Sequence, residues 1–88
     1  MDRDVIPLSQ VPSSTYFQVV AIHAGRGLVS QLNHMGIFVG DMIKVVHNIA
    51  GPLIIAKGNM RLALGRGMSR QIMGQTVVGP GPRGLKKK

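Results

Sequence analysis

At 88 residues and a formal net charge of +8, the chain has room for one domain and one small core. Its 44% hydrophobic content is too high for a disordered chain, and the lack of cysteine excludes a disulfide framework or a thiolate metal site. Apolar runs such as Val19–Ile22 and Leu53–Ala56 reach four residues, whereas a membrane-spanning helix needs about 20.

No apolar segment follows Met1-Asp-Arg-Asp, so no signal peptide is expected, and a cytoplasmic location fits the cysteine-free composition. Residues 1–5 are expected to be loose. Leu8 and Val11 are spaced for one helical turn, which Pro12 stops because it lacks an N–H and restricts its predecessor. Ser13, Ser14 and Thr15 form a polar turn. Tyr16–His23 reads as a strand, with Phe17, Val19 and Ala21 on one face and Val20 and Ile22 on the other. Two apolar faces predict cover on both sides.

Residues 25–40 (GRGLVSQLNHMGIFVG) combine turn chemistry, helical periodicity and a helix stop. Leu28, Leu32 and Met35 fall at i, i+4 and i+7 and make one apolar stripe. Gly27 is expected to admit the chain from a tight turn. Gly36 stands where a helix terminus favours a left-handed residue, with Ile37 folding back on Leu32 as in a Schellman stop. Asp41–His47 is the second strand, with Ile43 and Val45 alternating against Lys44 and Val46. Residues 48–52 form a loop. Leu53–Lys57 and Met60–Leu64 flank Gly58-Asn59, a two-residue hairpin signal of the II′ kind. Pairing 57 with 60, 55 with 62 and 53 with 64 puts Leu53, Ile55, Leu62 and Leu64 on the core face. Ile54, Ala56, Arg61 and Ala63 take the other. After Gly65–Gly67, Met68 and Ile72 suggest a helical turn, and residues 75–78 suggest a short closing strand. The pattern is mainly β: a small SH3-like barrel of about five strands with a short helix between the first two. The domain is expected to span residues 1–78 and a flexible basic tail residues 79–88 (GPGPRGLKKK). Arg83, Lys86, Lys87 and Lys88 supply four of the positive charges. The other seven cations are scattered over the body.

Five stretches, in this order and spacing, resemble the FeoA family: Leu8-Ser-Gln-Val11, Val19-Val-Ala-Ile22, Gly25-Arg-Gly-Leu28, Leu32-Asn-His-Met-Gly-Ile37 with Gly40-Asp41, and Arg61-Leu-Ala-Leu64. That family comprises small cytoplasmic accessory proteins of bacterial ferrous iron uptake, working beside the membrane GTPase-permease FeoB. A related SH3-like domain ends the iron-dependent repressors, but this chain has no helix-turn-helix. There are departures from the family pattern. Pro12-Ser13-Ser14 replaces the usual Pro-Gly turn, Val39 replaces a Pro before Gly40, and residues 65–71 (GRGMSRQ) replace an acidic segment.

Gly25-Arg26-Gly27 has Ser30 where a dinucleotide fingerprint needs glycine, and no P-loop is present. If GTP acts in this system, the resemblance implies that FeoB binds it. The link to iron makes His23, His34 and His47 candidate ligands, with His23 and His47 ending neighbouring strands and able to approach one another. No pair has the i, i+4 spacing of a preformed helical site, so weak or adventitious divalent metal binding is all that is expected, and no cofactor. Three dispersed aspartates offer no paired carboxylates, so no enzyme is expected. Met35, Met42, Met60, Met68 and Met73 read as core fillers. Scattered cations and few aromatics argue against nucleic-acid binding.

The resemblance implies an adaptor that binds the cytosolic domain of FeoB and modulates ferrous iron transport. Arg26, Leu28, Val29 and Gln31 near the helix start, with Phe38 and Val39 after it, are the expected contact. For Phe38, packing in the core or in a homo-oligomer competes with this role. The alternative function is a generic interaction module whose basic tail binds nucleic acid or an anionic membrane surface.

Overall fold

The computed structural model describes residues 4–77, so the tail expected at 79–88 and the end of the predicted 1–78 domain lie outside the described residues, as do residues 1–3 of the expected loose start. The elements are strands β1 (Ile6–Pro7), β2 (Thr15–Ile22), β3 (Met42–His47), β4 (Leu53–Lys57), β5 (Met60–Leu64) and β6 (Ile72–Val77). Helix α1 (Arg26–His34) separates β2 from β3, helix α2 (Arg66–Arg70) precedes β6, and a 3-10 turn covers Leu8–Gln10. All pairings are antiparallel and give one sheet in the order β1-β6-β2-β3-β4-β5.

The mainly β fold with its early helix is the expected one, with two differences. A sixth strand, β1, adds to β6, and the hydrogen-bonded ladder does not close, leaving β1 and β5 as edges. Pro7 is tolerated in β1 because an edge strand has a side that needs no N–H. The sheet still wraps one core. Leu8 beside one edge and Leu64 on the other join Phe17, Leu32, Ile43 and Ile72 in a single buried cluster.

Local chemistry accounts for the best-determined pieces. The β4–β5 hairpin has the register expected, Lys57 opposite Met60 through to Leu53 opposite Leu64. Among its central residues, positive φ occurs at Gly58 (+59°) and not at Asn59, as a II′ turn requires. At the end of α1, Gly36 has φ +94°, its N–H reaches Asn33 O at 3.0 Å, and the Ile37 N–H reaches Leu32 O at 2.9 Å. This is the Schellman pair of bonds, and Leu32 and Ile37 are both fully buried beside it. Leu8, which opens the 3-10 turn, and Val11, which follows it, are both buried, and the turn is closed by Val11 N–H to Leu8 O at 3.0 Å.

Other expectations are corrected. Gly27 lies within the first turn of α1 with Gly25 as N-cap, so the tight approach to the helix does not use it. Ile72 opens β6 instead of extending a helical turn from Met68, and β6 begins three residues before the strand expected at 75. Gly74, outside the strand expected at 75–78, is a buried position inside β6. The two apolar faces of β2 are reconciled by a register shift between Val19 and Ala21. The extra residue turns Val20 outward, 42% exposed, and returns Ile22 to the core side opposite Ile72. The covered second face is therefore absent.

Asn48 ties the long-range pieces together. Its amide nitrogen donates to Val11 O at 2.6 Å and Ser9 O at 3.1 Å, while its backbone N–H donates to Ser13 Oγ at 2.7 Å. Arg66 of α2 donates to Asn48 Oδ1 and, through Nε, to Gly51 O at 2.9 Å. The loop after β3, the 3-10 turn and α2 are thereby fastened at one point.

Candidate functional site

Phe38 follows the Schellman stop directly, so the buried Ile37 fixes where its ring emerges. Residues Phe38 to Asp41 form a tight turn closed by Asp41 N–H to Phe38 O at 3.1 Å, with Gly40 at φ +99°. Positive φ at the third residue is the type II arrangement. The Asp41 carboxylate accepts the Phe38 N–H at 2.8 Å and pairs with Lys57 Nζ at 2.7 Å. Lys57 Nζ also donates to Gly36 O at 2.6 Å and stands 5.3 Å from the Phe38 ring centroid. A cation there complements the negative C-terminal end of α1 and the face of the ring. Two β2 bonds, Gly40 N–H to Val19 O at 2.8 Å and Val19 N–H to Asp41 O at 2.9 Å, anchor the turn to the sheet. Phe38 is 46% and Val39 59% exposed, outside the core cluster. The result is an apolar pair presented on a braced turn.

The remaining expected contact residues form a second, separate group. Arg26 and Val29 line a shallow depression of about 420 Å³ on α1, with Ala24, Ser30, Asn33 and His34. Gln31 is exposed, whereas Leu28 packs against the core. A nine-residue helix, roughly 13 Å long at 1.5 Å per residue, carries the chain from this group to the Phe38 turn. The six residues are thus distributed over two patches, with Leu28 mainly structural.

The histidines are not brought together. Antiparallel pairing sets Thr15 against Val45, so His47 lies beyond the start of β2 and His23 beyond its end. They are on the order of 30 Å apart along the strand direction, which corrects the expected approach. His34 lies on α1, its Nδ1 2.9 Å from Ser30 O. Among the described residues, no three His, Asp or Glu side chains are grouped to hold a metal ion. Met42 is also misjudged as a core filler: it is 43% exposed, whereas Met35 and Met68 do pack on the core.

Sequence reasoning missed Asp41 and Lys57 as supports of the Phe38 turn. Nothing local signals a pair 16 residues apart whose meeting depends on β3–β4 pairing. It also missed that Tyr16, Lys44, Ala56 and Arg61 form one row across four strands. Half of that row was legible, because hairpin arithmetic already set Ala56 and Arg61 on the outer face.

No helix among the described residues is long and apolar enough to cross a membrane. The FeoA domain family model matches residues 6–76. A protein of Methanocaldococcus jannaschii, described as a candidate Fe(2+) transport protein A, is 37% identical over 67 residues, covering 76% of this chain and 82% of the relative. The crystal structure of an iron uptake regulatory protein, FeoA, superposes with a TM-score of 0.77 at 32% identity, covering 84% of this chain and 99% of the other. The manganese regulator SloR shares the fold, with a TM-score of 0.74 at 16% identity, this chain matching 34% of its length. With the family model spanning nearly every described element, the chain belongs to the FeoA domain family, a family of small β domains implicated in Fe(2+) transport.

Proposed function

We propose that this protein acts as an accessory adaptor of ferrous iron transport, docking on the cytosolic domain of the GTPase-permease FeoB and biasing its conformational equilibrium. Membership of the family supports the transport context. The observation that carries the docking surface is the exposed Phe38–Val39 pair on a turn braced by Asp41 and Lys57. An aromatic anchor held in place before binding loses little entropy on association. Such a partner shifts an equilibrium only through unequal affinity for its states, so docking is expected to differ with the guanine nucleotide bound to FeoB.

The test is a titration of isotope-labelled protein with the soluble cytosolic domain of FeoB, with and without guanine nucleotide. Amide shifts should centre on residues 37–42. Phe38→Ala should weaken binding by about tenfold or more, as expected for a hot-spot aromatic, with the circular dichroism spectrum unchanged. Unaltered affinity of the folded Phe38→Ala variant would remove Phe38 from the contact.

A further inference from the structure

The outer face of the sheet carries a second surface that the Phe38 turn does not use. Tyr16 stands opposite Lys44, Lys44 opposite Ala56, and Ala56 opposite Arg61, so these side chains follow one line across β2, β3, β4 and β5. With Met42 they line a depression of about 420 Å³. Its floor is apolar and its two charges are positive. Lys44 Nζ rests over the Tyr16 ring, 5.6 Å from the centroid, and Arg61 is exposed on the edge strand. Among the described residues neither cation has a carboxylate partner, and the salt bridge there is Lys57–Asp41. Arg66, by contrast, is held by Asn48 and Gly51.

We propose that this groove binds an extended, carboxylate-bearing segment of the partner protein, with acidic side chains reaching Lys44 and Arg61 and an apolar side chain against Met42 and Ala56. The proposal rests on the docking reading above and names the chemistry of a second contact within it. Charge selects the occupant. A second copy of this chain is a poor fit, since it has three aspartates in all and Asp41 is already paired. Its own residues 78–88 are a poor fit too, because their four charged side chains are cationic. A single-stranded nucleic acid would need a free aromatic face for stacking, and here Lys44 covers the Tyr16 ring. An acidic peptide needs two unpaired cations at fixed spacing beside an apolar floor, which is what the row presents.

The test uses the full chain and two end-blocked hexapeptides, Glu-Leu-Glu-Glu-Leu-Glu and its counterpart with Gln in place of Glu. The acidic peptide should shift the amides of Tyr16, Met42, Lys44, Ala56 and Arg61, and the neutral one should not. The double variant K44Q/R61Q should lose about fivefold or more in affinity, and R26Q less than about twofold. Equal losses in K44Q/R61Q and R26Q would overturn the proposal in favour of diffuse attraction to a basic protein. So would tighter binding of an eight-nucleotide oligothymidylate on the same face. K44Q/R61Q should weaken binding of the FeoB cytosolic domain to a similar degree. If that domain binds K44Q/R61Q as it binds wild type but loses affinity with Phe38→Ala, the groove proposal fails and the docking reading stands. If the peptide results hold and the FeoB domain does not bind at all, the docking reading fails and the groove remains a site for acidic segments.

Discussion

Gly74 is the position where one methyl group should do the most damage. It lies in β6, opposite Ile6 of β1 on one side and Val19 of β2 on the other. A Cβ built there would sit 2.0 Å from Gln18 O and 2.6 and 2.7 Å from Cζ and Cε2 of Phe17. Ordinary carbon contacts lie about 3.3–3.6 Å from oxygen and about 3.5–4.0 Å from carbon. Phe17 is fully buried and has nowhere to swing, and Gln18 O is main chain in β2. Relief therefore requires β6 and β2 to part by more than 1 Å, roughly, at the longest pairing in the sheet. Overpacking of this kind costs about 1–3 kcal/mol, and losing two ladder bonds adds about 1 kcal/mol each. Gly74→Ala should destabilise the domain by about 3–5 kcal/mol. At about 4–8 °C per kcal/mol for a domain this size, the thermal midpoint falls by roughly 12–40 °C. Thermal melts by circular dichroism, paired with urea titrations, measure this directly. A drop below about 4 °C would refute the reasoning, because it would mean the strands separate at little cost. The double variant Phe17→Leu/Gly74→Ala removes the ring contacts and leaves Gln18 O, so Leu at 17 should not restore the stability lost at 74.

Asn48→Ala removes three side-chain hydrogen bonds joining the 3-10 turn, the β3–β4 loop and α2. With water replacing part of them at this half-buried site, the expected loss is about 2 kcal/mol in urea unfolding at unchanged slope. Gly27→Ala should go the other way. The added Cβ meets nothing within 4 Å, and alanine is favoured in a helix interior by up to about 1 kcal/mol, so the midpoint should rise by a few degrees. A loss of stability there would restore Gly27 to the turn role that the sequence suggested.

Legibility in the sequence followed the range of the interaction. The β4–β5 hairpin could be read to the residue, because a two-residue glycine turn dictates which side chains face each other across it. The end of α1 was equally legible, since the Schellman bonds link residues 32–37 and depend on one left-handed position. The resemblance to the FeoA family could likewise be seen, because its motifs are these short local units in a fixed order. The candidate site was legible only in part: the exposed turn residues were named, but not the Asp41–Lys57 brace beneath them, nor the split from the α1 depression.

What the tertiary structure alone decided lies wherever two distant segments meet. Alternation along β2 put Val20 and Ile22 on one face, but the bulge beside Gly74 separates them, and that bulge exists only when β6 is paired to β2. Proximity in strand order suggested that His23 and His47 meet, whereas antiparallel register sends them to opposite ends. Phe38 could have been core or surface on local grounds. Ile37 fills the interior and the turn to Asp41 leaves Phe38 outside. Local backbone geometry is a property of a few neighbouring residues and so is written in their order. Register, edges and surface rows follow from which segments pair across the core, and that emerges only when the whole chain has folded.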